Sequence, residues 1–137
     1  MIYVDANYWI YWFDERLPEH KYVIEPMRAS IDEGIVLNLV TLMEVAHYFR
    51  SLPKDSFQKK LRTIQNLATL TLVNLDWDLA ETAFEQLIEY ARIGIGGRDS
   101  VILATMRATA TRKITTHDEV FKRIEGLEVI DPIPPTR

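Results

Sequence analysis

Apolar residues recur along this chain in two alternating rhythms. Short apolar runs at residues 2–4, 35–39 (IVLNL), 70–75 (LTLVNL), 113–116 (KITT) and 127–131 (LEVID) read as strands. Between them, apolar positions three and four apart predict helices over residues 8–13, about 19–33, 42–52 and 54–68. Further helices are predicted to start at Asp78 and Asp99, with a short one at Asp118. Pro26 falls inside the second helix and either kinks it or opens its second half. Strands separated by helices of this length need crossover connections. The expected fold is therefore α/β, a three-layer sandwich in which helices flank a central, mainly parallel sheet of about five strands. No repeat or linker divides the chain. Residues 1–131 read as one domain, and the Pro-rich 132–137 as a short tail that can continue neither strand nor helix and is expected to move freely.

One helix breaks the amphipathic pattern. Tyr8, Trp9, Tyr11, Trp12 and Phe13 make the first helix apolar nearly all round, and one short helix cannot bury every face against a single sheet. Part of it is expected to meet another chain; the alternative is packing in the chain's own core alone.

Composition narrows the function. A chain that is 47% hydrophobic and 26% charged matches a soluble globular domain, and no apolar stretch approaches the ~20 residues of a membrane span. The start lacks a basic region and a small-residue cleavage site, so no signal peptide and a cytoplasmic location are expected. The absence of cysteine excludes a disulfide framework, a thiol nucleophile and a Cys-ligated metal. A net charge of -4 argues against a protein that coats nucleic acid indiscriminately.

The acids themselves say more than their sum. In open α/β sheets, ligands gather beyond the carboxyl ends of the strands. Asp5 follows the first strand and Asp118 the fourth; Glu44 lies about one turn into the helix after the second strand, and Asp99 opens the helix after GIGG. If strands one, two and four are neighbours, four carboxylates converge. Such a cluster repels itself unless a cation joins it. Oxygen ligands suit Mg²⁺ or Mn²⁺, which keep open positions for a phosphate. Setting these four aside leaves acidic and basic residues equal in number, so the chain's acidity resides in the cluster.

Each acid also has a structural reading. Asp5 could be a turn residue, Thr41–Glu44 spells a capping box, and Asp99 and Asp118 could cap the helices they precede. Other constellations carry less. Glu44 and His47 have the spacing of a di-iron bundle but no second copy exists; GIGG lacks the spacing of a nucleotide loop and reads as a turn; His117 reads as an exposed loop histidine. Arg98, beside Asp99, is the foremost of several basic residues that could contact phosphate.

The segments YVDANYWI, LVTLMEVAHYF, GGRDSVILATM and ITTHDEVFKRI, in this order and spacing, resemble the four acidic signatures of the PIN-domain nucleases. The length resembles the VapC-type toxins of prokaryotic toxin–antitoxin pairs. The resemblance covers essentially the whole chain and implies a PIN-like fold, metal-dependent RNA cleavage by activated water, frequent homodimerisation and inhibition by a small antitoxin. By position, Asp5, Glu44, Asp99 and Asp118 match the acids that carry catalysis and bind one or two Mg²⁺ or Mn²⁺ ions. Asn7, Thr116 and Arg98 stand beside them as supporting or phosphate-contacting groups. Two other readings compete. One is a non-catalytic PIN-like module that binds RNA or protein. The other is a receiver-like signalling domain with Asp76 as phosphoacceptor, although that fold wants an acidic pair after the first strand and a lysine after the last.

Overall fold

A computed structural model describes residues 1–135. Five strands, β1 (Ile2–Val4), β2 (Ile35–Asn38), β3 (Leu70–Val73), β4 (Lys113–Thr115) and β5 (Glu128–Ile130), form one sheet in the order β3-β2-β1-β4-β5. Every pairing is parallel. Six α-helices flank it: α1 (Ala6–Phe13), α2 (His20–Glu33), α3 (Leu39–Tyr48), α4 (Lys54–Gln65), α5 (Trp77–Glu89) and α6 (Gly97–Ala108). Two 3₁₀ turns, Ala91–Ile93 and Glu119–Arg123, complete the elements.

Strand chemistry follows from position in the sheet. The central strands β1 and β2 are buried along their whole length, as a parallel sheet covered on both faces requires. The edge strand β3 alternates less strictly and exposes Thr71 and Leu72. Right-handed crossovers then assign the layers: β1→β2→β3 steps one way and places α1 to α4 on one face, while the return to β4 places α5 and α6 on the other. Helix α6 is buried from Asp99 to Met106 because β2 covers one side and α5 the other.

The order reverses at β1, whose neighbours are β2 and β4. That reversal opens a crevice at the carboxyl ends of the three strands. It also separates the fold from a receiver domain, in which the first strand lies second from the edge. Asp76, the candidate phosphoacceptor, follows edge strand β3 and spends its side chain capping α5, accepting from Leu79 N–H at 2.8 Å.

Helix α1 packs on α2 and α3; Tyr8 and Trp9 are fully buried, while Ile10, Tyr11, Trp12 and Phe13 are half-buried. Trp9 further donates its indole N–H to the Val4 carbonyl, and Phe13 stands edge-on to Phe49. The large apolar groups that do face outward lie elsewhere, with Leu39 and Met43 on α3 and Trp77, Phe84 and Ile88 on α5. At the C-terminal end Ile133 is buried in the main core; residues 136–137 of the expected tail lie outside the described residues. Helix α2 runs as one element with Pro26 inside it, so the proline does not open a second helix.

Candidate active site

The crevice is built by three strand ends. Pairing of Val4 with Thr115 brings Asp5 beside Thr116, and the Asp5 N–H donates to the Thr115 carbonyl at 2.9 Å. Asp5 is fully buried yet well supplied: Ala6 N–H donates to Oδ1 at 2.8 Å and the Thr116 hydroxyl to Oδ2 at 2.7 Å. Thr116 Oγ1 in turn accepts from Asp118 N–H at 3.1 Å, so one hydroxyl ties two of the acids together. Asp118 caps the turn behind it by accepting from Val120 N–H, and Asn7 Oδ1 accepts from His117 N–H at 3.3 Å, holding the loop after β4 against α1.

Helix α3 begins earlier than its periodicity suggests. Asn38, at the end of β2, is the cap, accepting from Val40 N–H at 3.0 Å. Thr41 therefore does not cap, and the Thr41–Glu44 capping box is absent. Thr41 is instead buried against Tyr3, whose hydroxyl accepts from Asn38 N–H at 3.1 Å and meets Thr41 Oγ1 at 2.6 Å. Asn38 Nδ2 donates to Thr105 of α6 at 3.1 Å. In the sequence Asn38 is masked by the apolar run IVLNL; its signal is an Asn directly before a helical pattern. These bonds fix α3 to β1 and α6, and so set where Glu44 stands.

Asp99 lies in the first turn of α6, three residues after the cap Gly96. Its Oδ2 accepts from Gly96 N–H at 3.3 Å, which leaves Oδ1 for the crevice. The preceding turn is made at Gly94, whose left-handed backbone (φ 93°) suits glycine.

All four acids converge, and they converge on Arg98. Its Nη1 donates to Asp5 Oδ1 at 3.0 Å and lies 3.1 Å from Glu44 Oε1; its Nη2 donates to Asp99 Oδ1 at 2.8 Å and to Asp118 Oδ2 at 3.4 Å. The Glu44 pairing is a charge contact without hydrogen-bond alignment, and Glu44 Oε1 is buried with no hydrogen-bond partner among the described residues. Burial pushes the Glu44 and Asp99 carboxyls above their ordinary values against the pull of Arg98. Burial alone would lower the Arg98 guanidinium, but the charges of Asp5, Glu44 and Asp99 outweigh it and hold the group above its ordinary value.

His117 is not an exposed loop residue. Its Nδ1 lies 2.9 Å from Asp131 Oδ2, and Asp131 also accepts from the Tyr8 hydroxyl at 2.7 Å and Lys122 Nζ at 2.8 Å. Burial alone would raise the Asp131 carboxyl; the three donors hold it below its ordinary value.

The oxygen-only donor set is the chemistry of Mg²⁺ or Mn²⁺, and Glu44 Oε1 is a buried ligand atom that meets Arg98 as a charge but accepts no hydrogen bond among the described residues. The four acids thus fit a divalent ion in kind. With the guanidinium among them, no group of three such side chains among the described residues stands arranged as a metal site.

The PIN domain family model matches residues 2–127, and the chain belongs to that family. Solved structures share its fold. VapC20 of Mycobacterium tuberculosis, a toxin that cleaves the sarcin-ricin loop, is 16% identical, with a TM-score of 0.79 over 94% of this chain and 98% of that one. VapBC2 from Rickettsia felis, bound to a DNA fragment from its promoter, is 22% identical, with a TM-score of 0.69 over 96% and 98%. A toxin–antitoxin complex from Klebsiella pneumoniae is 24% identical, with a TM-score of 0.66 over the same shares. No curated protein sequence matches significantly.

Proposed function

We propose that this protein is a metal-dependent endoribonuclease that hydrolyses RNA phosphodiester bonds, the toxin of a toxin–antitoxin pair acting in the cytoplasm. The observation that carries the reading is the meeting of Asp5, Glu44, Asp99 and Asp118 around one point at the strand-order reversal. Membership of the PIN family supports the chemistry, and the VapC-like fold supports the biological role.

In this mechanism Asp5, Asp99, Asp118 and Glu44 would hold one or two Mg²⁺ or Mn²⁺ ions. A bound divalent ion supplies Lewis acidity, lowering the pKa of water and neutralising charge on the phosphate. The protein does the rest. Thr116 and Ala6 N–H hold the Asp5 carboxylate in one orientation, and Gly96 N–H does the same for Asp99. Asn7 keeps the loop bearing Asp118 in place, and Arg98 offers a planar fork to a phosphate oxygen.

As partners we propose RNA as substrate, a second copy of the chain and a small antitoxin; relatives of this fold have been seen in toxin–antitoxin complexes. Trp77, Phe84 and Ile88 of α5 and Met43 of α3 offer apolar surface for protein partners. Among the described residues no helix is long and apolar enough to cross a membrane.

The test is incubation of purified protein with a mixed pool of end-labelled RNAs in Mg²⁺, Mn²⁺ or EDTA, with Asp99→Asn in parallel. Cuts that require metal and vanish in the variant support the enzyme. The second reading, a non-catalytic PIN-like module, is favoured by one observation, the guanidinium seated among the acids. RNA binding with no cleavage under any of these conditions would select it.

A further inference from the structure

We propose that Arg98 is a built-in competitor of the divalent ion: its guanidinium holds the four carboxylates together in the metal-free protein and must leave for metal to enter. The proposal rests on the reading of Asp5, Glu44, Asp99 and Asp118 as the metal site.

Three independent features carry it. The first is geometric. Both guanidinium Nη atoms point at the acids, each within reach of two carboxylates from different segments, at 3.0 and 3.1 Å and at 2.8 and 3.4 Å. A divalent ion of the Mg²⁺ type needs the same oxygens at about 2 Å in near-octahedral array. The guanidinium and a divalent ion would draw on the same oxygens and repel each other across a few ångströms, so occupancy by one disfavours the other.

The second feature is that the guanidinium is an incomplete substitute. It leaves four negative charges facing one positive charge, and it leaves Glu44 Oε1 buried without a hydrogen bond. Among the described residues no other cation forms an ion pair with these acids. Asp5, fully buried, needs a positive partner when no metal is present, and Arg98 is the group that meets it.

The third feature is the place of Arg98 on its helix. It occupies the second position of α6, between Gly97 and Asp99, where the helix dipole disfavours a positive charge. The carboxylates, and not the helix, hold it there. Its side chain is 31% exposed, so a route to solvent exists. Once released, the guanidinium is freed for a phosphate oxygen, for which its fork is suited. The device therefore couples metal entry to the presentation of a phosphate-binding group, and keeps the acids assembled in the interval.

The energetic consequence is a reduced apparent metal affinity. If the Arg98-out arrangement is a minor state populated at about 10% or less, the observed dissociation constant is about tenfold or more weaker than that of the open site.

The test is isothermal titration of the full-length chain with Mn²⁺ alone, comparing wild type, Arg98→Met and Arg98→Lys, together with melting temperatures in EDTA and in saturating Mn²⁺. Competition predicts that Arg98→Met binds Mn²⁺ about tenfold or more tightly than wild type. It also predicts a lower melting temperature for this variant in EDTA, recovered in saturating Mn²⁺. Arg98→Lys keeps the charge without the fork, guards against failure of the Met variant to fold, and is expected to fall between the two. Unchanged or weaker Mn²⁺ binding in both variants, with wild-type binding intact, overturns the competition and leaves the metal site standing. Absence of Mn²⁺ binding in all three proteins overturns the reading of the acids as a metal site, and the competition with it.

Discussion

Asp5→Asn and Glu44→Gln remove the same formal charge from the same cluster, yet the structure assigns them different effects on the metal-free fold. Asp5 is fully buried and accepts from Ala6 N–H, the Thr116 hydroxyl and Arg98. An amide keeps the shape but presents a donor where one oxygen accepted, and it exchanges a charge-assisted bond to Arg98 for a neutral one. Hydrogen bonds to charged groups contribute about 1.5–3 kcal/mol and neutral ones about 0.5–1.5 kcal/mol. Relief of repulsion among the remaining acids offsets part of the difference. The expected net loss for Asp5→Asn is about 1–3 kcal/mol. Glu44 differs in each respect. One of its oxygens has no hydrogen bond, its side chain is 35% exposed, and burial already pushes its carboxyl upward. After allowance for solvent screening, Glu44→Gln should leave stability within about 0.5 kcal/mol of wild type or slightly raise it. Urea unfolding in EDTA at neutral pH measures both, with midpoints compared at a common slope. An Asp5→Asn protein as stable as wild type, or a Glu44→Gln protein that loses as much as Asp5→Asn, would refute the reasoning.

Other consequences can be checked in the same protein. Tyr3→Phe removes the acceptor of Asn38 N–H and the partner of Thr41, and should destabilise by about 1–3 kcal/mol while lowering RNA cleavage, because α3 loses a tie that positions Glu44; urea unfolding and initial cleavage rates report the two effects. Asp131→Asn weakens the bonds from Tyr8, His117 and Lys122 to a buried carboxylate and should cost about 1–3 kcal/mol in denaturant unfolding. Asp14 supplies a pH dependence: hydrogen bonds from Arg16, together with Tyr48, hold its carboxyl down to about 2 against burial. Its folded value lies below its unfolded one, so its stabilisation is present above about pH 4 and lost as pH falls towards about 2. With Arg16 largely exposed, the contribution is on the order of 1 kcal/mol. Asp14→Asn should therefore be less stable than wild type at pH 7, with the gap closing in acid titrations near pH 2.

Much of this architecture is legible in the chain because the two hydrophobic periods rarely conflict. The buried runs of β1 and β2 and the three-four spacing of α5 leave little choice of element. The convergence of the acids is legible for a topological reason: Asp5 and Asp118 follow strand ends, Asp99 lies in the first turn of a helix and Glu44 lies on the helix that leaves β2, so placing the strands in a parallel sheet brings all four to one edge. What escaped sequence reading depends on side-chain direction and on distant packing. Asn38 was hidden inside an apolar run, and its neighbour Leu39 begins a helix because the Asn38 side chain caps it. The packing of α1 on α2 and α3 joins segments distant in sequence, which no local pattern reveals. Ile133 is a single apolar residue among prolines, too short a signal to predict burial. Arg98 was visible as a neighbour of Asp99, but only the folded chain shows its guanidinium turned into the acids.

The central claim is that Asp5, Glu44, Asp99 and Asp118 form one divalent-cation site. Anomalous diffraction from crystals soaked in Mn²⁺ tests it most directly. The account predicts a peak among the four carboxylates, at about 2 Å from oxygens of Asp5 and Asp99, with the Arg98 side chain turned away. Soaked crystals that show no peak in this crevice, with Arg98 still bonded to the acids, would contradict it.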